Sequence, residues 1–406
     1  MTKTVLDKIT NIVLTLYIFS LYLFTYRESL YIISNGLALL FVLLVIVRAV
    51  AENKVVFNRF LLYHMLFIGM CAASIFYAVN QERAAGEVRT LVLIYVVMIA
   101  AVNFVDSREK IIWAVNAFIF AGLASSVYIL LVSDFSNIKR FGDELGNVND
   151  IGMIIGISLT FSFGEFFRKK KIWYLLICAL MAVVILLTGS RKGLLFLLFS
   201  IVFLLYVNNK GSLKQQAVFF AVASAAMIAL FFIVLKVPFF YEVIGKRVEA
   251  AIALVTGTGE TDTSVRIRKH MIEFGWGIFK EKPVFGHGAR SYRVIYGMWL
   301  GMERYSHNNF IELLVNTGLV GMVLYYITNF VVAKDLYKHA KRSGRDGFGY
   351  PLVTVIIAYF ILGISMVYYY NKHFSLLLAL ASAVPQVYSF PAGLGGEELP
   401  DNAQGP

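Results

Sequence analysis

Charge is scarce in this sequence. Only 15% of its 406 residues are Asp, Glu, Lys or Arg, while 59% are hydrophobic; soluble domains carry roughly 25% charged residues. One water-facing core could not hide so much apolar surface, which excludes an ordinary soluble fold. Cysteine is nearly absent: Cys71 and Cys178 each lie inside an apolar run, where a thiol behaves as a small hydrophobe, so neither a disulfide nor a thiolate metal site is expected. The six histidines are scattered, and no Asp-rich motif suited to a divalent ion and diphosphate occurs. No metal and no cofactor are therefore expected. The formal charge of +12 carries more information in its arrangement than in its sum, and nucleic acid is not an expected partner.

What fills the chain is apolar runs of about 20 residues, the length that crosses a bilayer as a helix. We place spans near 9–26, 29–50, 57–79, 89–105, 111–133, 149–167, 172–188, 193–209, 215–237, 308–333, 349–369 and 373–391. The first lacks a small-residue cleavage site and is followed at once by others, so it reads as a retained helix. With the N-terminus cytoplasmic, the inner loops hold 18 Lys and Arg and the short outer loops 8. That bias places both termini inside, with the run from Arg168 to Lys171 as the firmest anchor. The expectation is an all-α integral membrane protein with about twelve transmembrane helices, its domain spanning 1–391. One large extracytoplasmic loop, 238–306, lies between helices nine and ten. Residues 392–406, acidic and rich in Gly and Pro, read as a flexible tail.

The long loop contains an amphipathic helix from Ser264 to Lys280, with Thr263 or Ser264 as its cap. Ile267, Met271, Phe274 and Ile278 share one face, and Arg266, His270, Glu273 and Gly277 another. Such a helix lies on the membrane surface or against the bundle.

Four places on the outer side break the apolar pattern. The hairpin Thr188-Gly189-Ser190-Arg191-Lys192-Gly193 holds two cations where helices enter the membrane. Cations there either bind an anion or snorkel to head groups. On the loop helix, Arg266 and Arg268 differ by about 200° of rotation, so both cannot face one site. Arg266, which shares its face with His270 and Glu273, is the choice; an ordinary solvated charge is the alternative. Gly286-His287-Gly288-Ala289-Arg290 would let backbone approach a phosphate, or would simply turn the chain. Finally, Ser306-His307-Asn308-Asn309 opens the helix that carries Glu312, Gly318 and Gly321. A histidine at a helix N-terminus tends to be neutral and able to take a proton. Asn308 and Glu312, four residues apart, are placed to hydrogen-bond, although Ser306 or Asn308 could equally be a plain cap.

These features together resemble the bacterial O-antigen ligase and polysaccharide polymerase superfamily along nearly the whole chain. The resemblance rests on the span count, the single large loop before the tenth helix and the Ser190-Arg191 hairpin. It rests also on His307-Asn308, then nine residues, then Gly318-x-x-Gly321. The resemblance implies metal-independent transfer of a glycan from undecaprenyl diphosphate to an acceptor at the outer face of the bacterial inner membrane. It implies Arg191 and Arg266 as diphosphate ligands, with Arg290 added, and His307 as the candidate base. Arg268, Lys192, Asn308 and Glu312 complete the expected substrate contacts. Partners are then a lipid-linked glycan donor, a glycan or lipid-linked acceptor, and membrane lipids.

Ligase and polymerase share all these features. The single long loop and the short loop after the fifth span suit a ligase. The Lys-, Ile- and Phe-rich composition, and Arg266 followed at a distance by Gly277, tip the reading slightly to a polymerase. A lipid-linked oligosaccharide flippase is the alternative from another class. It should show charged or Gly/Pro-broken helices near the bilayer midplane, whereas here the candidate charges gather at the outer rim and only seven prolines occur.

Overall fold

A computed structural model describes residues 3–24, 28–134, 141–142, 146–209, 211–246, 248–249, 252, 263–344 and 348–389. Among these residues regular structure is helical. Nine helices precede the long loop: α1 (Lys3–Leu23), α2 (Tyr31–Glu52), α3 (Arg59–Ala73), α4 (Gln81–Phe104), α5 (Arg108–Val132), α6 (Val148–Lys169), α7 (Trp173–Leu187), α8 (Arg191–Asn208) and α9 (Leu213–Lys236). The loop contributes α10 (Thr263–Glu281) and α11 (Ser291–Leu300), and α12 (Asn309–Ser343), α13 (Gly349–Leu362) and α14 (Lys372–Ser389) follow. Eight of the described helices are long and apolar enough to cross a membrane, and α7 and α13 are apolar but shorter. The chain is an all-α, multi-pass membrane protein. The expected tail at 392–406 and the side chains of the expected caps Thr263 and Ser264 lie outside the described residues.

Polar side chains start these helices. Asn58, Asn80, Ser107 and Ser190 each accept a hydrogen bond from a backbone N–H in the first turn of α3, α4, α5 and α8. Packing then centres on α6, which lies against α5, α7 and α8. Between membrane helices the driving force is close packing and hydrogen bonding rather than escape from water, and α6 carries small residues at the contacts. A Cβ added to Gly193 of α8 would sit 3.1 Å from the Gly152 Cα, and one on Gly164 would sit 2.4 Å from Pro351 of α13. Ser158 Oγ donates to the Phe118 carbonyl at 2.6 Å, and Thr160 Oγ1 to Ser200 Oγ at 2.9 Å. Each such bond contributes about 0.6 kcal/mol.

At one end of the bundle a charged cluster ties four helices together. Arg48 of α2, only 3% exposed, pairs with Asp7 of α1 and Asp106, which follows α4. Lys110 of α5 reaches the same two carboxylates at 3.2 and 3.0 Å. Charges this deep persist because they are mutually paired. The candidate site lies at the other end.

Two expected helix ends move. The run 349–369 reads as one span, but α13 stops at Leu362. Asn309 captures the chain beyond it: its backbone N–H donates to the Gly363 carbonyl at 2.7 Å, and its Oδ1 accepts from Tyr368 and Tyr369 N–H at 2.9 and 3.1 Å. Helix α12 runs ten residues past its expected end and breaks inside, at Gly318 (φ 65°, ψ −166°). The long loop packs against this helix. Met271, Phe279, Tyr292 and Tyr296 of α10 and α11 share a buried cluster with Ile311, Leu314 and Val315 of α12.

Candidate active site

Helix starts converge on one cavity of about 1250 Å³, counting its solvent-open mouth, beneath the long loop. Lys192 and Asp150 enter it from α8 and α6. The glycine contact between these helices brings their first turns together, and Ser190, the cap of α8, donates from Oγ to Asn149 Oδ1 at 3.3 Å. Lys192 is 8% exposed. Tyr305 reaches the cavity from the loop, and Tyr370 and Asn371 from the turn before α14.

His307 stands beside this cavity on a turn held from both sides. Its φ of 55° is left-handed, a conformation that persists in a non-glycine residue only when its surroundings over-determine it. Here they do. Ser306 N–H donates to Glu312 Oε2 at 2.6 Å, and Ser306 Oγ donates to the Asn308 carbonyl at 2.7 Å. Asn308 Oδ1 accepts from Phe310 and Ile311 N–H at 2.9 and 3.1 Å and so caps α12. The His307 ring lies on Tyr305, centroids 4.2 Å apart. Burial, then the nearby charges of Arg268, Lys192 and Arg304, push the imidazole down to about 4. It is neutral at pH 7, with a lone pair free to accept a proton.

Behind Tyr305 lies Arg293 of α11. Its guanidinium carbon is 5.4 Å from the Tyr305 ring centroid and 5.3 Å from that of Tyr370, and Nη2 donates to the Tyr370 hydroxyl. Its Nε is 3.6 Å from the fully buried Glu312 Oε1. Burial alone would lower the guanidinium's affinity for its proton, but Tyr370 and Glu312 raise it well above the ordinary value. The Tyr369 hydroxyl meanwhile donates to buried Glu87 of α4.

The structure brings some of the expected residues together and separates others. Lys192, Arg268 and His307 share one field. Arg266 does not join them: it is exposed, on the face that carries Glu273 and His270. Its partner Arg268 is partly buried because it continues the stripe of Met271, Gly275 and Phe279, all buried. Extending that stripe back one turn finds Arg268; the stripe through Ile267 and Phe274 hides it. Arg191 begins α8 half-buried and is not among the residues lining the cavity. Arg290 pairs with Glu303 at 3.8 Å and neighbours Glu87. The expected side-chain bond between Asn308 and Glu312 is replaced: Asn308 caps α12, and Glu312 grips Ser306 and faces Arg293.

The glycines around His287 approach backbone rather than a ligand. His287 and Gly288 N–H donate to the Val315 and Asn316 carbonyls at 2.8 and 2.9 Å, and Leu319 N–H returns a bond to Pro283 at 2.9 Å. The Gly-His-Gly turn thus fills the break in α12 at Gly318. Sequence reasoning missed Arg293, Tyr305, Tyr370 and Glu87. The run Tyr368-Tyr369-Tyr370-Asn371, too polar for a span end, was the available signal. Among the described residues no three His, Cys, Asp or Glu side chains gather as a metal site.

Residues 176–326 match the family model described as O-antigen ligase. Over that stretch the match supports a relationship to the O-antigen ligase and polymerase superfamily. The matched stretch runs from α7 into α12 and so contains Lys192, Arg268, Arg293, Tyr305 and His307 of this O-antigen ligase domain, while Asp150 and Tyr370 complete the cavity from outside it. No curated protein matches the chain.

Proposed function

We propose that this protein transfers a glycan from a polyprenyl diphosphate, in bacteria undecaprenyl diphosphate, to a sugar hydroxyl at the outer face of the inner membrane. The observation that carries the reading is the neutral His307 held among Arg268, Lys192 and Arg304 beside a large membrane-end cavity. In the proposed reaction the diphosphate lies on Lys192 and Arg268. His307 accepts the proton of the attacking hydroxyl, the new C–O bond forms at the anomeric carbon with inversion, and the bond to the diphosphate breaks. Negative charge grows on the leaving diphosphate, where preorganised cations lower the barrier most. No metal enters this scheme. Twelve spans with both termini cytoplasmic complete the proposal, because that topology sets the Arg168 to Lys171 run inside and the cavity outside.

The test is transfer by purified protein in proteoliposomes, with an undecaprenyl-diphosphate-linked repeat unit and a chelator. A ladder of lengthening products identifies a polymerase. Product formed only after lipid A–core is added identifies a ligase. Lipid-linked glycan moved across the bilayer with no new glycosidic bond contradicts the proposal and supports a flippase.

A further inference from the structure

The cavity has a chemistry that a diphosphate does not use. Three tyrosines, Tyr31, Tyr305 and Tyr370, line it, together with Thr90, Asn147 and Asn371. Two of the rings are braced from behind by one guanidinium, since Arg293 lies over both Tyr305 and Tyr370. The third is braced by Lys372, whose Nζ is 6.0 Å from the Tyr31 centroid and donates to Asn35 Oδ1 at 3.1 Å. Rings fixed in this way lose little freedom when a ligand packs on them. The neutral amide and hydroxyl groups beside the rings can supply hydrogen bonds next to an apolar face, while Asp150, Lys192 and Lys372 carry the charge of the same cavity.

That pairing fits a pyranose. A sugar ring carries C–H groups on its faces and hydroxyls at its edge, so aromatic faces and neutral hydrogen-bonding side chains match it as cations match a diphosphate. We infer that the tyrosine-lined part of the cavity, at Tyr31, Tyr305 and Tyr370, is a binding subsite for an uncharged hexopyranose. Resting on the transferase reading, that sugar is the acceptor, because Tyr305 touches His307 and so places a ring packed on it near the base. Without its solvent-open mouth the cavity is about 500 Å³, within the ~300–1,000 Å³ usual for a small-ligand site and roomy enough for a sugar ring.

The experiment is saturation-transfer NMR on the full chain in lipid nanodiscs, with methyl β-glucoside, methyl β-galactoside and methyl N-acetyl-β-glucosaminide as probes and inorganic diphosphate present. Saturation should concentrate on the ring C–H protons of at least one probe. It should persist in Tyr370→Phe, which keeps the ring, and be lost in Tyr370→Leu. Tyr31→Ala, at a half-exposed position where the fold is not at stake, should lose it too. No saturation of any probe by the unaltered protein, or undiminished saturation in Tyr370→Leu, overturns the subsite. Because no lipid-linked donor is present, active transfer without sugar saturation overturns the subsite alone, and sugar saturation without transfer overturns the transferase reading alone.

Discussion

The imidazole of His307 rests on the ring of Tyr305, with centroids 4.2 Å apart and planes inclined by 49°. This contact, and not a carboxylate, orients the proposed base. Among the described residues His307 Nδ1 is buried with no hydrogen-bond partner, while the buried acid Glu312 is turned to the Ser306 N–H and Arg293. A base held this way lacks the acidic partner that would raise its affinity for a proton, and three cations nearby lower it further. The outcome is a weak base that is always available.

A pH prediction follows from this arrangement. His307 is pushed down to about 4, so its proton-accepting form prevails above that pH and is lost only as pH falls through it. The value of kcat/KM, which reports the free enzyme, should stay level from neutrality down to about pH 5 and fall towards about pH 4. An acidic limb centred near the ordinary imidazole value of about 6.5 would contradict the field described here.

Arg268 and Arg266 make a matched pair of substitutions on one helix. Arg268→Ala removes a charge that acts on His307, and transfer should drop by about 100-fold or more, the usual cost of deleting one preorganised charge stabiliser. Arg266→Ala touches an exposed side chain and should stay within a few-fold of the parent. Initial rates at saturating donor separate the two; equal losses would contradict the placement of α10.

Glu312 serves the loop from below. Fully buried and facing Arg293, it should cost about 3–5 kcal/mol when cut to Ala, because the guanidinium is left without its partner. Glu312→Gln keeps an oxygen for the Ser306 N–H and should lose less. Thermal unfolding in detergent measures both, and an unshifted melting temperature for Glu312→Ala would count against the buried pair.

Gly318 sits where only glycine fits. Its φ is 65°, and an added Cβ would lie 2.3 Å from the Val284 carbonyl oxygen. Gly318→Ala should therefore yield little folded protein on size exclusion, as the Gly-His-Gly turn is forced off α12. Gly277→Ala, with nothing within 4 Å of the new methyl, should elute and melt like the parent.

The helices were legible because bilayer length and apolar composition act locally: the starts of α2, α3, α6, α7, α8 and α9 fall within two residues of the expected positions. The end of α13 was not, since it depends on Asn309, more than fifty residues earlier in the chain, seizing the backbone of Tyr368 and Tyr369. His307 and Lys192 were legible as polar groups at helix mouths. The choice between Arg266 and Arg268 depended on which stripe of α10 meets Ile311, a tertiary fact. Arg293 was invisible for the same reason: its meaning comes from Tyr305, Glu312 and Tyr370, which no periodicity joins to it.

The most direct test compares His307→Gln with the parent in two assays on the same proteoliposomes: binding of undecaprenyl diphosphate and transfer of the glycan. The account predicts binding within a few-fold of the parent, because Lys192 and Arg268 remain, and transfer reduced by about 100- to 10,000-fold, the contribution of a general base. Transfer that survives within a few-fold of the parent would contradict His307 as the base and, with it, the mechanism proposed for this site.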